Sequence, residues 1–262
     1  MSQKKSHQIN FQLVLAAVCV VLLSLVYLAG YVVVTELLRA PAPQLPQHTH
    51  VSRIAKMAYA PDVLPPSVQD GKAPVIYRID TGLPVVFLTI DDGVDRALEA
   101  AQTLRDMQVP ASLFLVEHYV QRDPGYFANV AAMSGSVIEN HTLDHREMPK
   151  LSLADQRREI CETSQSFERT YGVRPTLFRP PYGEFNDDTR RAAADCGIRA
   201  VVHWHALVEN GVVRYQRGDK LLPGDIVLMH FKPTFRQDVE AFTQASRAAG
   251  LEPQLLEDWL WH

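Results

Sequence analysis

The chain has 262 residues, 47% hydrophobic and 21% charged, and carries a net charge of −4 at neutral pH. That is an ordinary globular balance with room for one large domain or two small ones. It offers no dominant basic face, so no nucleic-acid partner is expected.

Residues 1–10 contain Lys4 and Lys5 and lead into Phe11–Val34, FQLVLAAVCVVLLSLVYLAGYVVV, which has no charged residue. Roughly 24 residues at about 1.5 Å each span about 36 Å, enough for the ~30 Å hydrocarbon core with some tilt. The two lysines precede the run, while Glu36 and Arg39 behind it offset each other. This asymmetry predicts a cytoplasmic N-terminus and an extracytoplasmic body. A cleaved signal peptide is the competing reading, with Ala40-Pro41-Ala42 as the cleavage site. Its apolar core would be only about 7–15 residues long. The expectation is therefore a single-pass membrane anchor over 11–34.

Residues 35–82 are rich in Pro, Gln and His, as in APAPQLPQ and DVLPPSV. Such a composition reads as a semi-rigid extracytoplasmic stem. Within it, Pro74–Arg78 is a short strand candidate that would touch the domain. The folded body is expected over 83–262.

There strand-like and helix-like patterns alternate. Strands are predicted at 85–90 (VVFLTI), 112–116, 136–141, 176–181, 198–204 and 225–231. Helices are predicted at 95–108, 124–133, 153–171, 186–196 and 238–249, from apolar residues at helical spacing. In the first helix Ala97, Leu98, Ala101, Leu104 and Met107 form the stripe, and Asp95 is a candidate N-cap. Ser152 and Gly172 would start and stop the third. Apolar strands alternating with helices imply a parallel sheet covered by helices. An open doubly wound sheet and a barrel both satisfy the pattern. The body is shorter than the ~250 residues of an eight-fold barrel, so a shortened, distorted (β/α) barrel fits better. Cys19 lies in the apolar run. Cys161 and Cys196 remain, either as the one bridge that export would permit or as two buried thiols.

The polar residues collect at strand ends. Asp91 and Asp92 close the first strand, His141 and His145 follow the third in HTLDH, Arg179 and Tyr182 follow the fourth in RPPYG, and His230 ends IVLMH. Each feature alone is ordinary, DDG being a common turn and a His at a strand end being commonly structural. In a parallel α/β barrel, however, those ends share the face that holds the active site. One carboxylate and two imidazoles form a ligand set for a divalent metal. The second carboxylate can serve as a base, Arg179 can hold it ionised and oriented, and His230 can protonate a leaving group. That combination suits metal-assisted hydrolysis of an amide or ester.

From Val85 onwards the chain resembles the polysaccharide deacetylase family, also called the NodB-homology domain or carbohydrate esterase family 4. TIDDG is similar to its first motif, HTLDH to its His-x-x-x-His motif, RPPYG to its third, and Leu228-Met229-His230 to its Leu-x-His motif. The resemblance implies a distorted (β/α) barrel that removes acetyl groups from N-acetylated or O-acetylated amino sugars of a cell-envelope polysaccharide, such as peptidoglycan or a chitin-like glycan. By position it implies Asp92, His141 and His145 as ligands of a divalent metal, usually zinc. Asp91 would be the general base oriented by Arg179, Tyr182 would offer its backbone N–H to the oxyanion, and His230 would be the general acid. Pro181, Trp204 and Leu228 would line the substrate pocket, although Trp204 is equally a core or rim aromatic.

The family's fourth motif departs most. It normally places an Asp before the Trp, paired with the catalytic His; here Val202-His203-Trp204-His205 has no acid. Glu209, Asp225 or His205 are the nearby substitutes. A non-catalytic carbohydrate-binding relative and an amidohydrolase on a small C–N substrate are the alternatives. Intact Asp91 and Arg179 argue against the first, the exported topology against the second. The loops Tyr119–Tyr126 and Leu207–Gly218 carry no readable sugar specificity, and the oligomeric state is not legible.

Overall fold

The computed structural model describes residues 67–260. The anchor expected over 11–34 and most of the stem lie outside these residues. Among the described ones, no helix is long and apolar enough to cross a membrane.

The sheet is built around β2 (Val85–Asp92), buried in all but its last residue. On one side it continues through β3 (Ala111–Leu115), β4 (Val137–Asn140), β5 (Leu177–Phe178), β6 (Ala200–Val202) and β1 (Val75–Ile76). On the other it continues through β9 (Ile226–His230), β7 (Ala206–Glu209) and β8 (Val212–Tyr215), while β10 (Glu252–Gln254) pairs with the start of β2. All ladders are parallel except β7–β8. The sheet curls into an incomplete, distorted barrel. An antiparallel bridge between Arg78 and Asp225 and a bond from Ile79 N–H to Gly224 O (2.9 Å) tie the segment after β1 to the residues that lead into β9.

The period-two pattern of β2 sorts the core. Val85 and Phe87 face inwards with Phe114, Leu177, Val202 and Trp259. Val86, Leu88 and Ile90 face outwards against a helix layer that includes Leu104, Phe127, Phe167 and Phe242. That layer is formed by α1 (Ala100–Met107), α3 (Pro124–Ser134), α4 (Leu153–Tyr171) and α6 (Phe235–Ala248). Short helices α2 (Glu117–Val120) and α7 (Glu257–Leu260) follow β3 and end the described chain, and α5 (Asp187–Asp195) packs on α4.

The third predicted helix keeps its limits: the Ser152 side chain accepts from Asp155 N–H, and Gly172 closes α4 in the left-handed region. The first starts later than its apolar stripe suggests. α1 begins at Ala100 with Glu99 at the N-cap, so Asp95 caps nothing and Leu98 is fully exposed. Arg96 is the reason: its guanidinium donates to Tyr119 O (2.6 Å) and lies over the Phe127 ring, holding the segment after β2 as a loop. The strand candidate at 74–78 forms β1 over Val75–Ile76, paired with Val201 and Val202. Ala73 and Ile79 are buried beside it, so packing of the body begins before Leu83. Cys161 and Cys196 form a disulfide between α4 and the C-cap of α5.

Candidate active site

Two adjacent strand residues ordinarily point to opposite faces, yet Asp91 and Asp92 serve one cleft. Asp91 keeps the inward phase of Phe87 and Thr89. Asp92 escapes the outward phase because its backbone turns left-handed, with φ 76°. Such a conformation costs a non-glycine residue energy and is tolerated where surroundings enforce it. Gly93 follows at φ 83°, and a Cβ there would stand 2.9 Å from the Phe127 ring, so only glycine fits.

Asp91 is buried and belongs to a fixed network. Its Oδ1 accepts from Arg179 Nη1 at 2.7 Å, and its Oδ2 lies 3.7 Å from His141 Nε2. Arg179 is fully buried, which by desolvation draws its pKa down, opposed by the charge of Asp91. It also donates to Thr89 Oγ1 (2.8 Å), Val202 O (3.1 Å) and His203 O (3.2 Å), and sits 4.4 Å over the Phe114 ring. With that many partners the guanidinium can neither rotate nor release the carboxylate.

Asp92 is different. Its Oδ1 is buried with no hydrogen-bond partner, 3.4 Å from both His141 Nε2 and His145 Nε2. Burial would raise its carboxyl, but His141, with lesser contributions from His230 and His145, outweighs burial and holds the pKa below its ordinary value. His141 Nδ1 lies 2.7 Å from Arg179 O, which fixes Nδ1 as the protonated nitrogen and leaves the Nε2 lone pair facing the carboxylate. Burial lowers the His141 pKa, yet Asp91 and Asp92 raise it overall. For His145, burial and then the neighbouring His141 draw it down.

Within the described residues these three side chains form the one group of His, Cys, Asp or Glu arranged to hold a metal ion, their ligand atoms all within 4.8 Å of one another. Two atoms each ~2.1 Å from a tetrahedral centre stand about 3.4 Å apart, the spacing of Asp92 Oδ1 from each imidazole nitrogen. An orphaned carboxylate oxygen between two imidazole lone pairs is the donor set that a divalent cation satisfies.

The remaining expected residues take different places. Tyr182, in a tight turn over Pro181–Gly183, has φ 60° and an exposed side chain whose ring is 4.8 Å from that of His145. Pro181 is buried beneath it. His230 stands opposite Asp91 in the β2–β9 register, and its buried Nδ1 has no partner. None of the expected substitutes for the missing acid supplies one: Glu209 pairs with Lys232, and Asp225 accepts from Leu222 N–H and faces His205. Leu228 is buried in β9 opposite Thr89, and Trp204 is half-buried, 5.4 Å from the Arg179 guanidinium. His203, stacked on Trp204, has its pKa pushed down to about 4 by burial and by the Arg179 charge, and is neutral. Sequence reasoning missed Thr89, whose hydroxyl links Arg179 to Val227 O; its place two residues before Asp91, on the same strand face, was the available signal.

Residues 78–201 match the family model described as polysaccharide deacetylase. The chain is 44% identical over 156 residues to an uncharacterized protein of Streptomyces coelicolor, covering 59% of this chain and 62% of the relative. It is 28% identical over 156 residues to a peptidoglycan-N-acetylglucosamine deacetylase of Bacillus cereus, covering 56% of each. The chain thus spans about three-fifths of the length of these curated relatives. Among solved structures it is similar to a family 4 carbohydrate esterase from Streptomyces lividans in complex with acetate, at 27% identity and a TM-score of 0.56, over 66% of this chain and 93% of the other.

Proposed function

The chain belongs to the polysaccharide deacetylase family through residues 78–201, and from that premise we propose that it is a metal-dependent hydrolase removing acetyl groups from amino sugars of a cell-envelope polysaccharide. The observation that carries this reading is the unequal treatment of two neighbouring carboxylates. Asp91 is bound and oriented by Arg179, while Asp92 Oδ1 is left unpartnered between two imidazoles.

Asp92, His141 and His145 are the residues that would hold the cation, zinc being the first candidate for a His₂Asp set. When bound, a divalent cation supplies Lewis-acid polarisation of the acetyl carbonyl and acidification of a water. Asp91 takes the proton from the attacking water through Oδ2, since Oδ1 is committed to Arg179. The Tyr182 N–H donates to the oxyanion, and the preceding prolines stiffen that loop. His230, on the strand beside Asp91, gives a proton to the departing amine.

N-acetylated glycans of the peptidoglycan or chitin type are the proposed substrates, and the name of the Bacillus cereus relative supports the first. We place the body outside the cytoplasm, anchored by the uncharged run at 11–34. The Cys161–Cys196 disulfide supports that compartment, because such bonds persist in oxidising surroundings. A second reading is favoured by one observation: His230 Nδ1 has no acidic partner. On that reading the cleft binds the glycan without cleaving it.

The test is acetate release from N-acetylglucosamine oligomers and from peptidoglycan. The proposal expects release that a chelator abolishes and added zinc restores. Glycan binding with no acetate at any pH would instead support the binding reading.

A further inference from the structure

The two histidine ligands differ in how they are held. His141 directly extends β4: its N–H donates to Leu115 O (3.1 Å), and its ring is fixed by Arg179 O. His145 lies four residues on, in a loop with left-handed backbone at Thr142 (φ 76°) and at His145 itself (φ 57°). The position of the His145 ring therefore depends on what fixes that loop.

Its backbone groups can be followed one by one. Thr142 N–H donates to Asn140 Oδ1 (2.9 Å), and His145 N–H donates to Thr142 Oγ1 (2.9 Å). Thr142 O and Leu143 O accept from the N–H groups of Glu117 and His118, at 3.1 and 3.0 Å. Two donors are left, the N–H groups of Leu143 and Asp144. Both converge on one atom, Glu159 Oε2, at 3.1 and 3.0 Å. Glu159 projects from α4, is fully buried, and has no hydrogen bond on Oε1, with Arg146 Nη1 3.7 Å away.

We propose that Glu159 is a positioning residue for the metal loop: by gripping the 143 and 144 peptides it sets where His145 Nε2 stands relative to Asp92. The inference rests on the metal reading given above. Adjacent peptide N–H groups turned towards one point form an anion cradle, and a carboxylate makes both bonds charge-assisted. A buried carboxyl is costly to desolvate, and the two N–H groups on Oε2 offset part of that cost. The carboxyl lies beside the loop that carries His145, the ligand outside the strand. Asn140 grips the same helix, its Nδ2 donating to Ile160 O (2.8 Å) and Ser164 Oγ (2.9 Å), so the start of the loop is tied to α4 as well.

The experiment measures zinc affinity of the full chain by competition with a chromophoric chelator, alongside thermal unfolding of the metal-free protein. Glu159→Ala is expected to weaken zinc binding by about 10- to 100-fold, as loss of outer-shell partners does. Glu159→Gln, whose amide oxygen still accepts both N–H groups, is expected to recover most of that loss. Phe167→Leu, a core change on the same helix, is expected to lower stability and leave zinc affinity unchanged. Wild-type affinity in Glu159→Ala overturns the proposal, as does an equal loss in Phe167→Leu. Should Glu159→Ala fail to fold, Glu159→Asp withdraws the carboxylate by one methylene and must show the weaker binding; wild-type affinity there again overturns it. A wild-type chain that takes up no zinc contradicts the metal reading itself, a result distinct from unchanged affinity in the variants.

Discussion

Asp91 and Asp92 are neighbours whose surroundings differ because their backbones differ. One stays in strand geometry and meets Arg179; the other turns left-handed and meets two imidazoles. The repulsion expected of adjacent carboxylates is offset on one side by a guanidinium and on the other by the site that a cation would fill. Arg179 in turn depends on Thr89, whose hydroxyl accepts from Nη1 and donates to Val227 O. Thr89→Val keeps the shape and removes both bonds. Leaving a buried guanidinium proton short of its acceptor costs about 1–3 kcal/mol. The expected result is a lowered denaturation midpoint together with a fall in acetate release larger than stability alone explains. Equal activity per folded molecule would show that Asp91 needs no such support.

At the level of elements, the barrel depends on a close approach at its seam. Gly224 has φ 82°, and a Cβ placed there would stand 1.9 Å from Ile79 O. Gly224→Ala must therefore separate the segment after β1 from the turn before β9, in addition to straining the backbone, which alone costs about 1–2 kcal/mol. Calorimetry should find a marked drop in unfolding temperature, and an unchanged value would mean the seam carries no load. Much of this architecture was legible beforehand. The strands from 85 to 231 announce themselves by apolar runs, and α4 by Ser152 and Gly172, since burial and capping are local signals. The β7–β8 hairpin was overlooked although Asn210-Gly211 flanked by alternating residues is its ordinary signal; both residues take positive φ. The start of α1 was not legible, because Arg96 overrides helical spacing through contacts with Tyr119 and Phe127. In the site, residue identity and order at strand ends pointed to Asp91, Asp92, His141, His145 and Arg179. Glu159 and Thr89 were not found, because their roles arise from contacts across elements that periodicity does not record. The lack of an acid before Trp204 was visible in the sequence; the bare Nδ1 of His230 became visible only in three dimensions.

Among the described residues, α7 packs Trp259 and Leu260 into the inward cluster with Val85 and Phe87, beside a pair of acids. Glu257 is half-buried, with its carboxyl turned into the interior, where it accepts from Ser112 Oγ (2.9 Å) and desolvation pushes its pKa up to about 8. Burial, with Glu257 nearby, also raises Glu139 well above its ordinary value. The sign for stability follows from linkage. Below the ordinary carboxyl range Glu257 is protonated in folded and unfolded chains alike. As pH rises towards about 8, the unfolded chain ionises while the folded one keeps its proton, so stability is lost across that window. Wild-type unfolding temperature is expected to fall from pH 5 to pH 8, and Glu257→Gln to flatten that slope. A slope unchanged by the substitution would place the ionisation elsewhere. The same fold delivers the C-terminal ends of β2, β4, β5 and β9 to one mouth, where the proposed chemistry depends on two carboxylates doing different jobs. Metal content and acetate release, measured together on wild type and Asp91→Asn, test that division most directly. Equal zinc per chain is expected in both proteins, with acetate release from N-acetylglucosamine oligomers lost in the variant. Zinc lost together with activity, or activity kept without Asp91, would contradict it.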